Sequence, residues 1–185
     1  MNAAEVTFLR AEGALRGWAM QGDAKDLYEK AVKLSFEERG ATGVDTYLAD
    51  ALSTPLRYID PMDNYSTQSP ASTITIPWEA GDTDAVKERN LERIITQKWI
   101  ANHMIGHEAW ADFRRTGYPR MMMAVNNLGA AGGMWGSVDG DRGMRRLHYP
   151  QSEYDNNREN VLGGIQLLGG PDEYSTDVWW AKKQN

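Results

Sequence analysis

The sequence predicts a mostly α fold: a tetratricopeptide-like helical hairpin plus a long helix, with extensive irregular loop segments. Three observations carry this. Apolar residues recur at threes and fours over residues 3–17, 24–34 and 84–114, the period of helices with one buried face. Residues 40–83 and 115–185 are rich in Gly, Pro, Asn, Asp and Ser, which interrupt regular structure. Strand character is confined to a short stretch at 73–76, ended by Pro77. With 185 residues the chain can build one sizeable core but not two comfortable ones. A single domain over 1–185 is therefore expected, with the hairpin at 1–36, a long scaffold helix at 84–114, and 40–83 and 115–185 loop-rich.

The first helix, 3–17, carries Val6, Leu9, Ala14 and Leu15, and Gly17 provides its stop. The second carries Ala24, Leu27, Tyr28, Ala31, Val32 and Leu34. Its Ala24, Tyr28 and Ala31 have the 0, 4, 7 spacing of the second helix of a tetratricopeptide repeat, where small residues let two helices approach. A short helix is expected at 44–52. The strongest element, 84–114, has Asp82 or Asp84 as its cap, Arg114 and Arg115 at its end, and Gly117 with Pro119 as its stop. On a helical wheel Leu91, Ile94, Ile95, Trp99, Ile105, Ala109, Trp110 and Phe113 form one stripe. Lys98 and Asn102 fall inside that stripe, so they require partners in the interior. Beyond Pro119, a helical turn is expected at 121–127 and a short helix at 158–166. Six glycines fall in the seventeen residues 128–144.

The formal charge is −6, and no run of Lys or Arg exceeds a pair, which argues against nucleic acid and anionic membrane surfaces as partners. The absence of cysteine excludes disulfides, thiolate metal sites and cysteine nucleophiles. No apolar run approaches the roughly 20 residues of a membrane span. Seven Trp and eight Tyr stand against three Phe, a bias toward rings that stack while keeping a polar edge wet.

Motifs for chemistry are weak. His103, His107 and Glu108 suggest a zinc helix, but Ala111 stands where HExxH requires its second histidine, and His148 is the only other imidazole. Histidines packing at a helix edge is the better reading. Asp139 and Asp141 open like a calcium loop but lack its third acid and distal Glu, so a glycine-rich turn is favoured. No phosphate-binding loop or nucleophile elbow is present, and nothing singles out a pair among the 26 acids. No catalytic residue, metal or cofactor is expected. The aromatic and polar constellation is the better candidate: Tyr58, Tyr65 and Trp78 in the first irregular region and Trp135 in the second, with Asp60, Asp63, Asn64, Asn126 and Asn127 nearby. Such rings stack on sugar faces while polar groups take the hydroxyls; for any one ring, pinning its own loop is the plainer role.

The segment LERIITQKWIANHMIGHEAWADFRRTGYPR, the downstream RRLHYPQSEYDNNRENV, and a closing LGG-x-D with a WW pair and Lys together resemble the C-terminal part of the SusD/RagB family of nutrient-binding lipoproteins. EVTFLRAEGALRG and the helix after it resemble that family's last tetratricopeptide-like hairpin. The resemblance implies a non-enzymatic cell-surface protein on the outer membrane that captures an oligosaccharide or other nutrient for a TonB-dependent transporter of the SusC type. It further implies that this soluble chain is a C-terminal fragment of a longer protein whose lipid anchor lies elsewhere. The matched residues Trp110, Arg114, Arg115, Tyr118, Pro119, Arg145, Arg146, Tyr149, Pro150 and Glu153 read as structural, the arginines tying a helix end to the returning chain through Glu or backbone carbonyls. Two other classes compete: a helical protein-interaction module without glycan binding, and a glycoside- or metal-dependent hydrolase.

Overall fold

The computed structural model describes residues 2–62, 68–122 and 143–181. Among them lie seven helices: α1 (Ala3–Leu15), α2 (Ala24–Glu38), α3 (Val44–Ala49), α4 (Asp84–Ala101), α5 (Gly106–Thr116), α6 (Gln151–Asn156) and α7 (Arg158–Leu168), with a 3-10 turn at Trp179–Ala181. The described residues contain no strand; Tyr58 and Gln68 form an isolated antiparallel bridge. The mostly α expectation holds.

The hairpin forms because periodicity and caps agree. Asn2 accepts from the Glu5 amide to start α1, and Asp23 accepts from the Lys25 amide to start α2. Both helices end in the same way. The Gly17 amide donates to Ala14 and the Trp18 amide to Gly13, and the Gly40 amide donates to Glu37 and the Ala41 amide to Phe36; Gly17 and Gly40 both have positive φ. From the last turn of α2, Glu38 accepts from the Ala3 and Ala4 amides, at 2.9 and 3.2 Å, closing the hairpin. Ala4, Phe8 and Ala11 of α1 are buried with Leu27, Tyr28, Ala31 and Val32 of α2 and with Leu91, Ile94 and Ile95 of α4 in one apolar cluster. Each fully buried large side chain contributes roughly 1.5–3 kcal/mol.

The expected single helix over 84–114 is two helices. Thr83, not Asp82 or Asp84, caps α4 by accepting from the Val86 amide; Asp82 pairs with Lys87 instead. At the far end Asn102 caps α4, and Met104 takes a left-handed conformation at φ 75. Lys98 supplies the physical reason. It is 2% exposed, and its Nζ lies 2.8 Å from Asp112 Oδ2. A continuous helix would hold residues fourteen apart at about 21 Å along its axis. Only a break lets Asp112 reach the buried ammonium. Asn102 in turn donates to Glu5 of α1 at 3.3 Å. Trp99, placed in the stripe by the wheel, is 40% exposed.

The segment expected as a strand, 73–76, is satisfied by side chains rather than by a neighbouring strand. Tyr28 Oη donates to the Ile76 carbonyl at 2.7 Å and Arg93 Nε to the Thr75 carbonyl at 3.2 Å. Asn90 brackets Glu79, accepting from its amide at 3.1 Å and donating to its carbonyl at 2.9 Å. With the backbone groups taken by side chains, no ladder is needed.

Where one domain was expected, the residues gather into two compact units, Met1–Asp112 with Tyr118–Met121, and Phe113–Gly117 with Met122–Asn185. The first owns the apolar cluster. In the second the buried apolar side chains are Val161 and Ala181 among the described residues, and cohesion comes from two buried arginines. Arg145 Nε donates to Asp177 at 2.7 Å and its Nη2 to the Arg114 carbonyl; Arg114 Nη1 donates back to the Arg145 carbonyl at 2.9 Å. Arg146 pairs with Asp172, which also accepts from the Tyr149 amide and from Tyr154 Oη at 2.6 Å. Helix α7 matches the expected 158–166 and runs two residues further; α6 was not foreseen, because only its Tyr154 is even half-buried. The expected turn at 121–127 falls almost wholly outside the described residues.

Candidate functional site

Two of the four candidate ligand rings are described. Tyr58 is 46% exposed, its backbone held by a reciprocal pair of bonds with Gln68 at 3.1 and 3.0 Å. Trp78 packs on the core: its ring lies 5.7 Å from that of Tyr28, tilted by 47°. That contact gives Trp78 the loop-pinning role and leaves Tyr58 as the more accessible ring. Tyr65 and Trp135 lie outside the described residues, as do Asp63, Asn64, Asn126, Asn127, Asp139 and Asp141.

The segment that ends in Trp78 borders a groove of about 350 Å³ on the first unit, between residues 70–74 and α4. Its walls include Ser72, Thr73, Arg89, Glu92, Arg93 and Arg120. Arg93 is buried and fixed, donating to Thr75, Asn90 and Glu79. Arg89 donates through Nε to Glu79 at 2.8 Å, and through Nη2 to the same carboxylate. These bonds, first Arg89 and then the charge of Arg93, hold Glu79 down at about 2 against the opposing pull of desolvation, so it is ionised at any ordinary pH. Ser72 Oγ donates to the buried Glu92 carboxylate. Arg120 is held more loosely, with Nε 3.5 Å from Glu92 and its guanidinium 5.8 Å from the centre of the Tyr118 ring.

This arrangement can grip a polar ligand by guanidinium and hydroxyl donors, with a carboxylate at hand to accept. Sequence reasoning missed it. Arg89, Glu92 and Arg93 at i, i+3 and i+4 look like an ordinary solvated helix face, and nothing local joins them to Arg120. The available signal was the Ser-Thr pair preceding the Ile-Thr-Ile stretch at 74–76, since a segment without a partner strand needs donors from the helix beside it.

The motif residues fall as follows. Tyr118 is buried, and its hydroxyl donates to Glu88 at 2.8 Å; burial first and then the Glu88 bond push it up to about 12. Arg114 stacks on Trp180 at 4.7 Å, and burial followed by the charge of Arg145 lowers its pKa. Arg146 lies over Tyr149 at 5.2 Å. Arg114 and Arg145 link the helix end to the returning chain through each other's carbonyls, while Asp177 and Asp172 pair with Arg145 and Arg146 within the downstream segment; Glu153 is exposed and accepts from Asn157. Trp110 and Arg115 are half-buried on α5. His103 and His107 are exposed, and His148 stands in the other unit with its ring against Tyr174.

A family profile described as SusD-like, "Susd and RagB outer membrane lipoprotein", matches residues 1–181. No curated protein matches. Among solved structures, a chitin-binding SusD homologue from Flavobacterium johnsoniae is 43% identical with a TM-score of 0.87, covering 100% of this chain and 36% of its own. A SusD homologue from Bacteroides uniformis is 52% identical with a TM-score of 0.89, covering 99% of this chain and 37% of its own. One from Bacteroides thetaiotaomicron is 46% identical with a TM-score of 0.88, covering 100% and 38%. The chain thus spans little more than a third of the length of these relatives.

Proposed function

The chain belongs to the SusD-like family of outer-membrane lipoproteins, and from that membership we propose that it acts within a cell-surface protein that captures an oligosaccharide for a TonB-dependent transporter of the SusC type. The role is binding, with no chemical step. The observation that carries it is the likeness of the whole of this chain to 36% of the chitin-binding homologue, at 43% identity. The geometry supports it: the helices hold residues 72–79 beside a groove lined with hydroxyls and charges, and Tyr58 is half-exposed; rings and polar groups are the two kinds of contact that sugars require. For the transporter, the segment around Tyr58 offers a run of exposed apolar side chains, Leu52, Leu56, Ile59 and Met62, surface suited to a protein partner.

Calorimetric titration of the full-length protein with chito-oligosaccharides and starch-derived oligosaccharides tests the reading. Binding of at least one series is expected, and Tyr58→Ala should weaken it about three- to tenfold, the range of one aromatic contact. Tyr65, Trp78 and Trp135 are proposed as further contacts, to be tested by the same substitution, with Trp78→Ala also costing stability through Tyr28. Absence of binding to any glycan would end the reading, and normal binding by a variant would remove that ring from it.

A further inference from the structure

The groove between residues 70–74 and α4 has a charge character unlike the chain around it. Three guanidiniums, Arg89, Arg93 and Arg120, face the carboxylates of Glu79 and Glu92, in a chain whose formal charge is −6. The two acids are already engaged. Glu79 is held by Arg89 and Arg93, and Glu92 is buried, accepting from Ser72. The cations are not engaged to the same degree. Arg120 is 56% exposed, its ion pair with Glu92 spans 3.5 Å through Nε, the nitrogen at the base of the fork, and its guanidinium also bonds the Tyr118 hydroxyl. Arg89 uses Nε and Nη2 on Glu79 and remains 46% exposed. Thr73 stands exposed beside them on the rim.

A planar guanidinium fork on a side chain as exposed as Arg120 matches an anionic group bearing two or more oxygens, in two parallel bonds. A neutral sugar hydroxyl meets neither that geometry nor that charge. Arg93 and Asn90 supply what a binding fork needs behind it. They lock the floor of the groove in place, Arg93 Nη1 donating to Asn90 at 3.1 Å, so little ordering remains to be done when a ligand arrives.

We propose that this groove binds the anionic substituent of an acidic glycan, a uronate carboxylate or a sulfate ester, with Arg120 as the principal contact and Arg89 and Thr73 beside it. The inference rests on the glycan-binding reading and narrows it: the ligand carries negative charge at one position. The volume of about 350 Å³ sets the scale, since ligand pockets of roughly 300–1,000 Å³ enclose small molecules; this is a subsite for one or two sugar units, with the remainder of the chain bound elsewhere.

The test titrates the full-length protein, its Arg120→Ala and Arg120→Lys variants, and Arg89→Ala, with oligogalacturonate, a sulfated galactan oligosaccharide and a neutral chito-oligosaccharide. The acidic probes should bind. Arg120→Ala should weaken them about ten- to a hundredfold, as loss of charge-assisted bonds does, and weaken the neutral probe far less. Arg120→Lys should recover only part of the loss, because it keeps the charge without the fork. Raising ionic strength from about 0.05 to 0.5 M should weaken the acidic probes alone. Preference between the uronate and the sulfate identifies the source of the anion. Binding of the neutral probe without the acidic ones, or acidic binding indifferent to Arg120→Ala, overturns the inference while the glycan reading stands. Failure of all three probes overturns the inference, and overturns the glycan reading as well if the starch-derived oligosaccharides also fail to bind.

Discussion

Lys98 shows how a single residue organises its surroundings. A lysine on the apolar stripe of a helix has either to reach out of the core or to bring a carboxylate into it, because an unpaired buried ammonium costs far more than a small domain can supply. Here the carboxylate comes in: Asp112 meets it at 2.8 Å with both side chains under a tenth exposed. Replacing Asp112 by Ala should therefore cost about 3–5 kcal/mol in urea unfolding, the toll of stranding a buried charge. The double change Lys98→Met with Asp112→Leu should recover most of that loss, because an apolar pair of similar volume needs no compensation. A loss below about 1 kcal/mol in the single variant would mean that the pair is not what holds this junction. That Lys98 and Asn102 need interior partners is legible from the wheel alone. Which partners they take, Asp112 and Glu5, is not, because both contacts depend on how separate helices come together.

At the scale of elements, α1, α2, α4 and α7 were legible because each combines a 3.6-residue apolar period with a start or stop signal. The break between α4 and α5 was hidden for a geometric reason. Fourteen residues of helix come within about 40° of a whole number of turns, so Lys98 and Asp112 lie near one face whether or not the helix is continuous. The apolar period of Leu91, Ile94 and Ile95 runs on through Ile105, Ala109 and Phe113 undisturbed. The turning point is moreover a methionine, not a glycine: Met104 holds φ 75 while 87% exposed, a conformation costing an L-residue roughly 1–2 kcal/mol. Met104→Gly should remove that strain without loss of packing and, after glycine's own entropic penalty, stabilise by about 0.5–1 kcal/mol. Gly17→Ala is the converse. Its φ is +81, and a Cβ there meets no atom within 4 Å, so the loss of about 1 kcal/mol is purely conformational. Thermal unfolding should show shifts of opposite sign, each about 2–4 °C or less for a chain of this length; shifts of the same sign would refute the account of the break.

For the molecule as a whole, the groove at α4 was illegible because its arginines come from places thirty residues apart, whereas the aromatic candidates stood out by composition alone. Composition cannot tell an exposed ring from one laid on the core, and Tyr58 and Trp78 divide on that point. The same limit applies to cohesion. Among the described residues the two units differ in their ties: a shared apolar cluster in the first, and arginine–carboxylate bonds around Arg145, Arg146, Asp172 and Asp177 in the second. They should therefore respond differently to acid. Burial is the largest influence on Asp172 and pushes its pKa up, but Tyr154, Arg146 and the Tyr149 amide together outweigh it and hold the carboxyl below its usual 3.8. A carboxyl depressed in the folded state stabilises above its unfolded pKa, and that contribution is lost as pH falls below about 4 toward the folded value. The apolar cluster of Phe8, Tyr28, Ile94 and Ile95 that packs residues 3–38 carries no such dependence, and the acid-sensitive bonds of Glu79 in the same unit lie outside it. Hydrogen-exchange protection factors compared at pH 7 and pH 3 should fall first in peptides from 143–181, while those from 3–38 remain protected. Asp172→Asn, which weakens the bond to Arg146 without acid, should bring the 143–181 loss to pH 7 and flatten its pH dependence. Equal loss of protection in both segments would show that the arginine bonds do not carry the second unit.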